Sequence, residues 1–145
     1  AAFYRSAPYP LMQTFDAPDF STVCTRRVRS NTPLQSLALA NDPLFKELAE
    51  GLASRVLAEG GDSITDDAAR MARMFRICLS RESSDEELTL LTDYLNRERT
   101  RFASDPASAL AFVSLTQPEN QVIELAAWTS DARVLLNTDE FVTRN

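Results

Sequence analysis

Asp16 and Asp19 stand on either side of Pro18 in the stretch Phe15-Asp16-Ala17-Pro18-Asp19. Two carboxylates held across a sugar bond are the minimum equipment of a glycoside hydrolase, one as acid and one as base or nucleophile. Arg26, Arg27 and Arg29 follow shortly after. A guanidinium is a bidentate partner for a carboxylate, so the same residues have a structural outcome as well: Asp16 closes an Asx-type turn and Asp19 meets one of the three arginines. The structural outcome is the simpler, because nothing nearby completes a reaction centre.

The chain has no histidine. That removes imidazole-dependent serine and cysteine triads, His-containing zinc sites and haem attachment through Cys-x-x-Cys-His. With three glycines and no Walker or dinucleotide fingerprint, there is little material for a phosphate cradle. No loop with alternating oxygen ligands suggests calcium, so no metal site is expected. The Asp66-Asp67 and Glu86-Glu87 pairs fall where helices begin, and negative charge is favoured there by the helix dipole. Tyr4, Tyr9 and Trp128 are the aromatic candidates for a sugar platform, although Trp128 lies on an apolar stripe and reads as core.

Cys24 and Cys78 are too far apart for a metal or redox motif. Two outcomes fit them, a disulfide tying the N-terminal segment to the body or two separate buried thiols, and the second needs no oxidising compartment.

These residues must be positioned by helices. Thr32-Pro33-Leu34-Gln35 offers a capping residue, a proline at the first helical position and a glutamine able to complete a capping box. Leu34, Leu37, Ala38 and Leu39 then predict a short apolar helix ending near Asn41. Asp42-Pro43 starts the next, with Leu44, Phe45, Leu48, Ala49, Leu52, Val56 and Leu57 at helical spacing until Gly60-Gly61. A third helix is predicted from about Ile64 to Ser80, its Arg70, Arg73 and Arg76 forming a solvated or salt-bridged row. Ser84 with Glu87 opens a fourth, in which Arg97, Arg99 and Arg101 suit the C-terminal dipole. Asp105-Pro106 opens a short fifth. Thr116 with Glu119 opens the last, which carries Val122, Leu125, Ala126, Trp128, Ala132, Leu135 and Leu136 before a left-handed stop at Asn137.

No segment alternates as a strand does. The expected fold is therefore all-α, a bundle of five or six helices over residues 31–145, preceded by an extended arm over residues 1–30. The arm's prolines and aromatics need a surface to pack on, either a groove of the body or a second copy of the chain in an arm-mediated homodimer.

The 145 residues fit one domain with its own core. Four arginines against two aspartates give residues 1–30 a charge of +2, so the net −6 leaves −8 on the remainder. An acidic body argues against a nucleic-acid partner, since phosphate binding needs a basic face. No run is apolar enough for a membrane span. With neither an initiator methionine nor a leader, the sequence reads as an excised piece of a longer protein. Its arginine cluster is expected to dock against this acidic body or against a carboxylate on another part of the longer protein.

Phe15 to Asp19, Cys24 to Arg27, Asn31 to Leu37, Asn41-Asp42-Pro43, and the closing Ala132 to Asn137 with Glu140-Phe141 together resemble planctomycete-specific domain one, also called domain of unknown function 1553. The resemblance runs over nearly the whole chain and places it in the C-terminal part of that domain. Ser36 and Ala40 depart from the commoner alanine and leucine, changes that concern packing.

The resemblance implies a large exported protein, periplasmic or otherwise extracytoplasmic, often with a cytochrome-c-like domain upstream. Any haem would belong to that upstream domain, and no cofactor is expected in this piece. The family defines no catalytic residues. The leading expectation is a non-catalytic helical interaction domain that docks, through Arg26, Arg27 and Arg29, onto the N-terminal portion of its own protein. The rival expectations are part of a polysaccharide-processing enzyme, with Asp16 and Asp19 in a shared site, and a glycan-binding module.

Overall fold

In the computed structural model, the described residues are 12, 14–17, 32–59, 66–114 and 119–142. Among them the fold is all-α, with no strand. The helices are α1 (Pro33–Asn41), α2 (Pro43–Glu59), α3 (Asp67–Leu79), α4 (Asp85–Ser104), α5 (Pro106–Phe112), α6 (Glu119–Leu136) and the single-turn α7 (Asp139–Val142). The first six correspond to the helices read from sequence, while the expected Gly60-Gly61 stop, the start near Ile64 and the Thr116 cap lie outside the described residues. The seventh is a turn too short to show a hydrophobic period.

Local chemistry accounts for most of the boundaries. The Gln35 side chain accepts a bond from the Thr32 N–H at 3.1 Å, closing the start of α1. Asp42 ends α1 by donating its N–H to the Ala38 carbonyl and starts α2 by accepting from the Leu44 N–H at 2.8 Å. Asp66 and Asp105 cap α3 and α5 through the N–H groups of Ala68 and Ser108. Ser84 and Glu87 form the expected reciprocal box at the head of α4. Replacing Ser84 with alanine leaves the Glu87 N–H without that acceptor, and urea unfolding is expected to register a loss of about 1 kcal/mol.

The left-handed stop falls elsewhere than predicted. Asn137 does not take a positive φ, whereas Ser80 does (φ 58°), ending α3 with its N–H on the Arg76 carbonyl. Asparagine tolerates the left-handed region, but after α6 the chain turns directly into α7 through Thr138 and does not need it.

The helix α6 is central, packing chiefly on α2 and α4 and also on α5 and α3. Alanines on both partners, Ala49 and Ala53 against Ala126, Ala127 and Ala132, let α2 and α6 approach closely within one core. Every position from Leu125 to Ala132 is buried. The sequence suggested a single apolar stripe on this helix, but a helix surrounded by partners buries its full circumference, including Thr129, Ser130 and Asp131.

The α1–α2 unit shows the converse. Leu39, Ala49, Ala53 and Val56 are buried, while Leu34 (67% exposed), Leu37 (59%), Leu44 (49%) and Leu48 (52%) face outward, although helical spacing alone had counted them all as apolar stripe. Buried Glu50 shares the inner face of α2 because both its carboxylate oxygens accept the Ser114 N–H, at 2.8 and 3.0 Å, joining α2 to the end of α5.

Salt bridges tie the remaining helices. Arg99, expected simply to suit the end of α4, reaches Asp67 at 2.5 Å and Glu124 at 2.7 Å and so links α3, α4 and α6. Arg81, stacked over Phe75, holds Glu87 and Glu140 at 2.7 Å each and fastens α7 to the body. The arginine row of α3 is salt-bridged as read: Arg70 meets Asp67, Arg73 meets Glu59 and Arg76 meets Glu82.

A candidate ligand cleft between α4 and α6

Tyr94, Glu98 and Arg101 recur on one face of α4, and Ser130, Arg133 and Val134 on one face of α6, with Asn137 just past its end. Both sets follow the i, i+4, i+7 spacing that aligns side chains along a helix. With Phe112 at the end of α5 and Ala40 at the end of α1, the two faces enclose an open cleft of 470 Å³. That volume lies within the range of small-molecule sites.

Charge in the cleft is unevenly satisfied. Arg101 donates to Glu98 at 2.6 Å, and the Ser130 hydroxyl lies 3.2 Å from the same carboxylate and 3.1 Å from the Ala126 carbonyl, able to donate to one of them at a time. Arg133 donates to the Ala40 carbonyl and stands over the Phe112 ring, 5.4 Å from its centroid. Lys46, the only lysine, stands over the same ring at 5.9 Å. Burial, with the Glu98 charge beside it, raises the Tyr94 phenol above its ordinary value.

Behind Ser130 lies Asp131, fully buried, and neither of its carboxylate oxygens has a hydrogen-bond partner among the described residues. Burial first and the neighbouring Glu98 charge second push its carboxyl up to about 8, against a weaker opposing pull from Arg99. At neutral pH it is mostly a neutral acid. It does not line the cleft, so it bears on the fold more directly than on a ligand.

The residues singled out from sequence lie elsewhere. Asp16 sits in a tight turn with a left-handed backbone (φ 54°), a conformation aspartate tolerates better than most residues. Although residues 1–30 were read as extended, the chain at Met12 and Thr14–Ala17 is turned, because the Ala17 N–H bonds back to the Met12 carbonyl at 2.8 Å. This turn rests on the body. Gln35 donates to the Thr14 carbonyl at 2.9 Å and the Phe15 ring lies 6.4 Å from that of Phe45. Asp19, Cys24, Arg26, Arg27, Arg29, Tyr4 and Tyr9 fall outside the described residues.

Cys78 carries a free thiol among the described residues, and burial pushes it up to about 11, far from the reactive thiolate range; its pairing with Cys24 lies outside those residues. Trp128 has no exposed surface, in line with its reading as core: the ring offers no face to a sugar. Among the described residues no group of three or more acidic or cysteine side chains could hold a metal ion. No helix among them is long and apolar enough to cross a membrane.

Sequence reasoning missed Lys46, Tyr94, Phe112, Asp131 and Arg133. The polar repeat along α4 and α6 was available, but the meeting of the two faces depends on how helices far apart in sequence pack.

The fold and cleft define an all-helical domain with a small-molecule-sized groove at the junction of α1, α4, α5 and α6. The chain belongs to PSD1, a family of proteins of unknown function (DUF1553), whose family model matches residues 1–95. The match ends within α4, so the closing Ala132 to Asn137 motif lies beyond it. No curated protein and no solved structure matches the chain.

Proposed function

We propose that this chain is a non-catalytic interaction domain of a larger exported protein, working outside the cytoplasm and docking another portion of that protein through the outward leucines of α1 and α2. One observation carries the reading: Leu34 and Leu37 on α1, and Leu44 and Leu48 on α2, are each about half exposed or more while the core below them is complete without them. A folded domain gains nothing from four exposed leucines on two consecutive helices, whereas burying each in an interface is worth about 1.5–3 kcal/mol. The extracytoplasmic setting and the identity of the partner follow from the family resemblance.

Co-purification of this domain with the remainder of the full-length protein tests the reading. Changing Leu34 and Leu37 together to glutamate is expected to weaken association by at least about 3 kcal/mol, more than a hundredfold, with the thermal midpoint of the isolated domain nearly unchanged. Association that survives the double change intact defeats the docking role. Sedimentation of the isolated domain separates the remaining outcome, in which a second copy of the chain covers the same leucines.

A further inference from the structure

Ten cationic side chains fall among the described residues, and seven of them have carboxylate partners within ion-pair distance: Arg55, Arg70, Arg73, Arg76, Arg81, Arg99 and Arg101. The three without one among the described residues are Lys46, Arg97 and Arg133. All three stand over aromatic rings that line the cleft, Arg97 over Tyr94 at 5.7 Å and both Lys46 and Arg133 over Phe112.

In a chain of net charge −6, two cations that meet at one ring with no carboxylate beside them among the described residues form a local positive spot that an incoming anion can use. Arg133 is half-buried, and among the described residues its side chain makes one hydrogen bond, through a single guanidinium nitrogen to the Ala40 carbonyl. The rest of its fork stays available for an oxyanion, the geometry in which arginine binds most strongly.

We propose that the cleft binds a small organic acid, with its oxyanion head on Arg133 and its apolar body against Phe112, Val134 and Ala40, while Lys46, over the same Phe112 ring but outside the lining, adds positive charge. The head group meets cations that have no carboxylate partner among the described residues. The apolar walls favour an acid carrying a hydrocarbon or aromatic group over a bare ion. The Tyr94 and Ser130 hydroxyls and the Asn137 amide, on the same lining, are placed to bind polar substituents of that body. This site is separate from the leucine face and stands whether or not that face docks a partner.

Calorimetric titration of the full chain with acetate, benzoate and inorganic phosphate tests the assignment. Saturable binding is expected, with benzoate tighter than acetate; phosphate tells whether the head site prefers a carboxylate or a phosphate. Because Arg133→Gln also deletes the bond to Ala40, Lys46→Gln provides a second variant that leaves this bond intact, and Arg55→Gln provides a control of equal charge change on an exposed ion pair. Each cleft variant is expected to weaken binding about tenfold, the worth of one charge-assisted contact, with Arg55→Gln without effect. No saturation by any of the three probes, or equal weakening by Arg55→Gln, overturns the site. Acetate binding as tightly as benzoate overturns the apolar body.

Discussion

Raising the pH from about 4 to about 8 is expected to destabilise the fold by about 1.4 kcal/mol per pH unit through Asp131 alone, and Asp131→Asn is expected to abolish that slope. The sign follows from where the proton sits. Below about 4 the carboxyl is protonated both folded and unfolded, so the stability of the neutral buried acid is fully present. Between the unfolded value of 3.8 and the folded value of about 8, the unfolded chain releases the proton while the folded chain keeps it. Each unit then favours unfolding, and above about 8 the loss is complete.

The charged groups facing Asp131 are on α4: Glu98 opposes its ionisation and Arg99, already held by Asp67 and Glu124, only partly offsets this. The exposed carboxylates held by arginines act at the other end of the scale. Glu87, held by Arg81 at about 2, contributes stability above its ordinary value near 4.5 that is lost as the pH falls toward 2. Maximum stability should therefore lie on the acid side of neutrality. Urea midpoints across this window, for the wild type and Asp131→Asn, are the measurement. Parallel curves would mean that Asp131 ionises normally in the fold.

Trp128→Ala is expected to cost about 3–5 kcal/mol, a large part of the stability of any domain of this size. Trp128 is the largest fully buried side chain, lies midway along the central helix and shares its core with α2, α3, α4 and α5. Its indole N–H has no hydrogen-bond partner among the described residues, so Trp128→Phe removes ring volume without orphaning an acceptor. The phenylalanine variant should retain a cooperative transition and lose markedly less, measured by circular dichroism in urea. Equal losses in both variants would show that the indole nitrogen is bonded after all. As the sole tryptophan, Trp128 should emit from an apolar setting in the folded wild type and shift to the red on unfolding.

These two residues mark how far the sequence could be read. The helices and most of their ends were legible because the signals are local: a cap acts on an N–H two or three residues away, and a proline sets its own φ. Thr32 with Gln35, Asp42 before Pro43, Ser84 with Glu87 and Asp105 before Pro106 all behave as their spacing predicts. Facing was less legible. Leu34, Leu37, Leu44 and Leu48 satisfy the same helical period as Leu39 and Val56 yet point outward, because α6 covers α2 from one side only and α1 packs chiefly on α2.

Asp131 was missed for a related reason. An acidic residue in a helix suggests a solvent face, and only a helix surrounded by four others denies it one. The cleft follows the same logic, since Lys46, Phe112 and Arg133 come from three different helices and no spacing rule relates them.

The sequence by itself determined the all-α class, the approximate positions of six helices, the caps that start four of them and the family to which the chain belongs. Those properties depend on interactions spanning three or four residues, or on motifs read in order. Only the tertiary structure decided which apolar residues form the core and which remain outside. It also brought two cations over one ring, and buried one carboxyl, with no ionic or hydrogen-bond partner for these groups among the described residues beyond the Ala40 carbonyl. These depend on the desolvation and juxtaposition of distant helices, quantities that exist only once the chain has packed.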